Sequence, residues 1–176
     1  MKLFVCLISA ALFLSNLSAQ KIELPQIKDG VSYELALYRK SIISRIIYRI
    51  HAAIPEDRSE AIHAKETLSF NYKKQNNSSL QIDFKADSNA LKTVKVNNEL
   101  ITPVLEHEHI IIDAKYLKEG HNEIGFTFIA GSTALNRREG YLYSLFVPDH
   151  ARTMFPCFDQ PALKARFSLS LTIPEK

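Results

Sequence analysis

The sequence holds six histidines, and two of them stand close together in Glu106-His107-Glu108-His109. Two rings two positions apart fall on one face of a strand. They would supply half of a four-ligand metal site. No third ligand is specified nearby, so the segment is read as the polar start of a strand and no metal ligand is assigned. His51, His63, His121 and His150 are dispersed. A helical zinc site needs His-Glu-x-x-His, which sets two imidazoles on one helix face with the glutamate as base. That pattern is absent, as is Gly-x-Ser-x-Gly, and the five glycines form no phosphate-cradling loop. Cys157 has no Cys/His/Asn arrangement around it and reads as a small buried hydrophobe. Asp159 reads as a partner for Arg152, not as an acid or base. No catalytic residue is assigned.

These residues sit in a chain of 176 residues that is 46% hydrophobic and 23% charged. That suits one globular domain with a real core. The formal charge of +3 is small. The cations are scattered, and the tightest run, Lys40, Arg45 and Arg49, alternates with isoleucines. Solvated faces explain that pattern, and a nucleic-acid partner is not expected.

The first segment is organised differently. Met1-Lys2 is a basic start, Leu3 to Leu14 an apolar run, and Ser15 to Ala19 a polar exit of small residues with Leu17 among them. Residues 1–19 therefore read as a signal peptide, with Gln20 as the new N-terminus. The apolar run is too short to span a bilayer, and no membrane span is expected once it is removed. Residues 20–30 form a lead-in. The processed chain would keep a single cysteine and no internal disulfide. An exported protein, periplasmic or extracellular, is the expectation.

The elements that must position the chemistry follow from periodicity. Ser32 to about Ile43 has a helical pattern with Ser32 as N-cap. Ile46 to Ile54 alternates, with Tyr48, Ile50 and Ala52 on one face and Arg49 and His51 on the other. Ala61–Tyr72, Leu80–Lys85, Leu91–Val96, His109–Ile112, Ile124–Phe128, Gly140–Val147 and Arg166–Ile173 give further strand signals. In the Leu80–Lys85 run, Gln81 and Asp83 are expected opposite the apolar face. Asn97-Asn98 tolerates the left-handed backbone of a tight hairpin. About nine short strands and one short N-terminal helix predict an all-β fold, a sandwich or a pair of curved antiparallel sheets.

One segment resists that alternation. Pro156 and Pro161 lack ladder donors and bracket a stretch that cannot be regular strand. Each also pushes the residue before it toward extended geometry. Phe155, Cys157 and Phe158 supply apolar packing. Arg152 and Asp159 carry opposite charges at the two ends of the bend and are expected to pin it as a partly buried ion pair.

The run Arg152-Thr153-Met154-Phe155-Pro156-Cys157-Phe158-Asp159-Gln160-Pro161, followed by Lys164-Ala165-Arg166-Phe167, closely resembles a pattern of M1-family zinc aminopeptidases. The resemblance extends over roughly residues 30–176. It implies the amino-terminal β-domain over residues 31–176, expected to be incomplete at its C-terminal end. Arg152, Phe155, Pro156, Cys157, Asp159 and Pro161 would be its structural motif. In many members a glutamine and an acidic residue hold the substrate amine seven and five positions before the arginine. Here those positions are Leu145 and Val147, and neither accepts a hydrogen bond from an ammonium group.

The resemblance further implies zinc, and removal of N-terminal residues from peptides, in the full-length enzyme. The implied partner is a zinc domain of the same or a split gene product. Neither that domain's His-Glu-x-x-His nor its Gly-x-Met-Glu-Asn loop occurs in this sequence, so the chain alone is expected to be a non-catalytic fragment. The other expectation is a stand-alone β-module that binds peptide, glycan or protein. If further strands followed Ile173, a sheet edge and an apolar docking face would be left open.

Overall fold

The computed structural model describes residues 24–75 and 77–175. Residues 1–19, read from sequence as a signal peptide, lie outside the described residues. Helix α1 (Tyr33–Ile42) starts where Ser32 Oγ accepts a hydrogen bond from the Leu35 amide at 3.1 Å, satisfying one of the orphan donors of the first turn. Arg39 and Lys40 lie in its last turn, where cations suit the dipole. The chain passes at Ile43 straight into extended backbone.

Strand β1 (Ile43–Ala53) opens with a bulge at Arg45, whose φ is 54°. It then alternates as expected, Tyr48 and Ala52 buried and Arg49 and His51 exposed. The other strands are β2 (Ile62–Tyr72), β3 (Leu80–Asp83), β4 (Leu91–Val96), β5 (Glu99–Ile101), β6 (Val104–Glu106), β7 (His109–Ile112), β8 (Gly120–Ala130), β9 (Leu135–Arg138), β10 (Tyr141–Ser144) and β11 (Ala165–Thr172). The described residues thus hold 11 strands where about nine were expected. The additions are short hairpin partners such as β5 and β6, too brief to show a period.

Six strands form one sheet in the order β11-β1-β2-β8-β4-β5, and β3-β7-β6 form a second. Strands β9 and β10 make a separate ribbon. The fold is β-rich with one short α-helix, as expected, but not purely antiparallel: β11 runs parallel to β1, with Arg49 opposite Ser168.

Both main sheets contribute to one core. Phe84, just past β3, meets Phe128 of β8 edge to face at 5.7 Å, and Phe70 of β2 meets Phe158 at 5.7 Å. Strand β3 departs from its expected alternation, since all four residues are buried. Layers cover it on both sides: Leu80 and Ile82 join the hydrophobic core, while Gln81 and Asp83 lie where Arg39 and the proline-bracketed bend close over the strand.

Candidate functional site: a pinned corner beside an apolar groove

Beyond β10 the chain leaves the ribbon and makes one 3-10 turn at Ala151–Thr153. Phe155, Cys157 and Phe158 are buried, and Pro156 with them. The bend docks on β3 through a single bridge: the Asp83 amide donates to the Cys157 carbonyl at 2.8 Å and the Cys157 amide to the Asp83 carbonyl at 3.0 Å. The Phe158 amide donates to Tyr48 Oη at 2.9 Å. On the far side Gly131 is indispensable, because a Cβ there would lie 1.8 Å from the Thr153 carbonyl oxygen. The six-stranded sheet therefore reaches this corner through backbone contact.

Arg152 and Asp159 do pin the bend, though not chiefly to each other. Asp159 Oδ2 accepts from the Arg152 amide at 3.0 Å, while the guanidinium lies 3.8 Å from the same oxygen. The guanidinium instead donates to Asp149 Oδ2 at 2.5 Å and to Glu108 Oε2 at 3.2 Å. It also donates to the Asp149 carbonyl. Burial raises the Glu108 carboxyl, but Lys85 and Arg152 draw it down further, to a net value below the usual carboxylate range. Asp159 is raised, chiefly by burial and with Asp83 nearby, against the Arg152 amide.

The anchor beneath the corner is Asp83. Arg39 grips it with two bonds, Nη1 to Oδ2 at 2.7 Å and Nη2 to Oδ1 at 2.5 Å, and also donates to the Gln81 carbonyl at 2.8 Å. His109 Nδ1 lies 2.8 Å from Oδ1, and the Asp159 amide donates to Oδ2 at 2.8 Å. Burial alone would raise the Asp83 carboxyl. Arg39, His109 and the Asp159 amide outweigh it and leave the group below its ordinary value. Cys157 is the opposite case: burial first, then the neighbouring acidic groups of Asp159, Asp83 and Glu66, push its thiol well up. A thiol so held stays protonated and is no nucleophile.

Leu145 and Val147 sit at the rim of the corner, 62% and 81% exposed. Between the corner, the ribbon and β11 lies a groove of about 440 Å³. Leu142, Phe146, Met154, Phe155, Leu169 and Leu171 are among its apolar lining. Phe167, Leu169 and Leu171 are at once groove-lining and exposed.

The profile of the Peptidase M1 N-terminal domain family matches residues 34–176. The chain belongs to that family. Comparison with curated proteins returned no match. Among solved structures, native yeast LTA4 hydrolase superposes with a TM-score of 0.62 at 19% identity, over 76% of this chain and 23% of that one. The M1 zinc metallopeptidase of Deinococcus radiodurans gives 0.59 at 16% identity, over 76% of this chain and 33% of that one. These likenesses show a shared fold. The chain thus spans about a quarter of the first structure's length and a third of the second's.

Within this M1 N-terminal domain the two neighbouring histidines do not share a strand face. His107 and Glu108 are the two turn residues of the β6–β7 hairpin, with φ of 49° and 63°. His107 is exposed, 2.8 Å from Asp29 Oδ1. His109 is fully buried, and its Nε2 donates to the Lys28 carbonyl at 2.9 Å. Histidine and glutamate are unusual in such a turn, so the hairpin carries no composition signal. Among the described residues no three histidine, cysteine, aspartate or glutamate side chains are placed to hold a metal ion. The described residues thus do not fit zinc. No helix of the described residues is long and apolar enough to cross a membrane.

Proposed function

We propose that this chain is the N-terminal, non-catalytic domain of an exported M1-type zinc aminopeptidase, with zinc and its activated water held by a separate catalytic domain. The observation that carries this reading is the corner itself. A buried, hydrogen-bonded bend in the family's own segment presents an exposed rim and an apolar groove, yet no group in it is poised to react. Such a surface suits a wall that shapes a cleft and excludes water. Leu145 and Val147 offer no acceptor to an ammonium group, so recognition of a peptide's free amine falls to the catalytic domain. That domain, from the same or a split gene product, is the partner proposed for the groove. Export is supported by the leader-like residues 1–19.

The test is enzymatic. The purified chain should leave aminoacyl anilides intact and bind zinc at well below one equivalent. Adding the zinc domain as a separate polypeptide should restore turnover. Metal-dependent hydrolysis by this chain alone would refute the proposal.

A further inference from the structure

The lead-in crosses the molecule before α1 begins, and histidine holds it there. Leu24 packs against the hydrophobic core. Lys28 and Asp29 are exposed, yet both are tied to the β6–β7 hairpin. His107 Nδ1 lies 2.8 Å from Asp29 Oδ1, and His109 Nε2 lies 2.9 Å from the Lys28 carbonyl oxygen. Gly30 then turns with φ of 74°, and a Cβ on it would lie 3.7 Å from Arg152 Nη2. Residues 24–30 therefore run as a strap from the core, past the hairpin, to the guanidinium of the corner.

The two rings do different work. His107 and Asp29 are both exposed, and an exposed ion pair contributes little. Lys85, Asp87, Glu106 and Glu108 wall the same open cavity as His107. His109 is fully buried, and each of its nitrogens faces an oxygen that can only accept: Asp83 Oδ1, 2.8 Å from Nδ1, and the Lys28 carbonyl. A neutral imidazole has one N–H and one lone pair, so it serves one of these oxygens and turns a lone pair on the other. An imidazolium serves both. The carboxylate is the stronger acceptor. It is also fixed in place by Arg39 from α1 and by the Asp159 amide from the bend. The single hydrogen of a neutral His109 therefore stays with Asp83, and the contact that fails is the one to the strap.

We propose that residues 24–30 form a proton-locked strap, closed while His109 is an imidazolium and released when the ring loses a proton. Closure takes up the proton, so it is complete on the acid side and is lost as pH rises. The pair of His107 with Asp29 adds a smaller contribution of the same sign. Release uncovers the Asp83 junction beneath the corner while the sheets stay paired. The device belongs to the fold alone and does not rest on the peptidase reading.

The test is cleavage of the purified chain after Lys28, within the strap, by a lysine-specific protease. Each rate is divided by that for a synthetic peptide of residues 24–33 at the same pH, which removes the protease's own pH dependence. Between about pH 5 and pH 8, where imidazoles titrate, the ratio should rise about tenfold or more, the effect of losing a hydrogen bond from a charged donor. Cleavage after Lys65, inside β2, reports opening of the sheets and should stay absent. Ring-nitrogen NMR reads His109 in the parent without any substitution. Both nitrogens should carry hydrogens while the strap resists cleavage, and Nε2 should lack its hydrogen once the strap yields. Asp29→Asn, at the exposed pair, should keep most of the rise, whereas His109→Gln should flatten it. A flat ratio in the parent would overturn the proposal, as would a neutral His109 beneath a closed strap. Cleavage at Lys28 and Lys65 rising together would replace it with global unfolding, and a rise abolished by Asp29→Asn would move the switch to His107.

Discussion

Glu66 is the side chain whose placement runs most against its chemistry. It stands on the core face of β2, almost fully buried, and neither carboxyl oxygen has a hydrogen-bond partner. Burial therefore pushes its acid well above the ordinary range. A folded-state value above the unfolded one means that folding binds the proton more tightly. The stability that this contributes is complete below the unfolded value and is lost as pH rises toward the folded one. Between the two, each pH unit costs about 1.4 kcal/mol. Glu66→Gln keeps the shape and cannot ionise. Its melting temperature should match the parent near pH 4, about the unfolded value, and exceed it by a margin that widens as pH rises above that. Calorimetry across that range decides it, and a constant gap would mean that Glu66 is not held protonated.

Elements were legible where one residue type signals one backbone state. Ser32 marks the start of α1, and β4 and β7 fall on the expected Leu91–Val96 and His109–Ile112. Asn97 and Asn98 form the expected hairpin turn, with φ of 49° and 73°. Asn97 also donates to the Tyr116 carbonyl at 2.9 Å, whereas Asn98 is an exposed turn position. Asn98→Gly should therefore hold or raise stability by up to about 1 kcal/mol, because glycine adopts positive φ freely. Asn98→Val should lower it by more than about 1 kcal/mol, since a β-branched residue strains there. Urea midpoints at constant slope measure both, and equal midpoints would deny the turn its role. The His107-Glu108 turn has nearly the same backbone but was illegible, because its residues were not chosen for turn chemistry. His107 reaches Asp29, and Glu108 holds Lys85 and Arg152. The parallel pairing of β11 with β1 was hidden for another reason: strand order is a property of the return path of the chain, not of either strand.

At the scale of the whole molecule, Asp83 is where separate segments meet. Arg39 brings α1, His109 brings β7 and, through Lys28, the lead-in, and the Asp159 amide brings the corner. The sequence marked the corner by its prolines but not its anchor. Arg39 looks like any basic residue in a last turn, and Asp83 like the polar side of an alternating strand. Only the return of the chain over 44 positions pairs them. Because Asp83 is held below its ordinary value, its contribution is present above the unfolded pKa and fades as pH falls through the folded one. Asp83 thus weakens the fold on the acid side, while Glu66 weakens it as pH rises. Asp83→Asn would leave Arg39 buried against a neutral amide, and truncating one partner of a buried pair costs about 3–5 kcal/mol. Part of that loss should return in Arg39→Met/Asp83→Leu, where the guanidinium is no longer buried unpaired, although His109 and the Asp159 amide lose their acceptor. Denaturant unfolding of the three proteins separates the outcomes. An Asp83→Asn midpoint equal to the parent's would show that the helix, the sheets and the corner hold together without this cluster. A double variant no better than the single one would show that the ion pair itself, and not merely compensation of its charges, orders the junction.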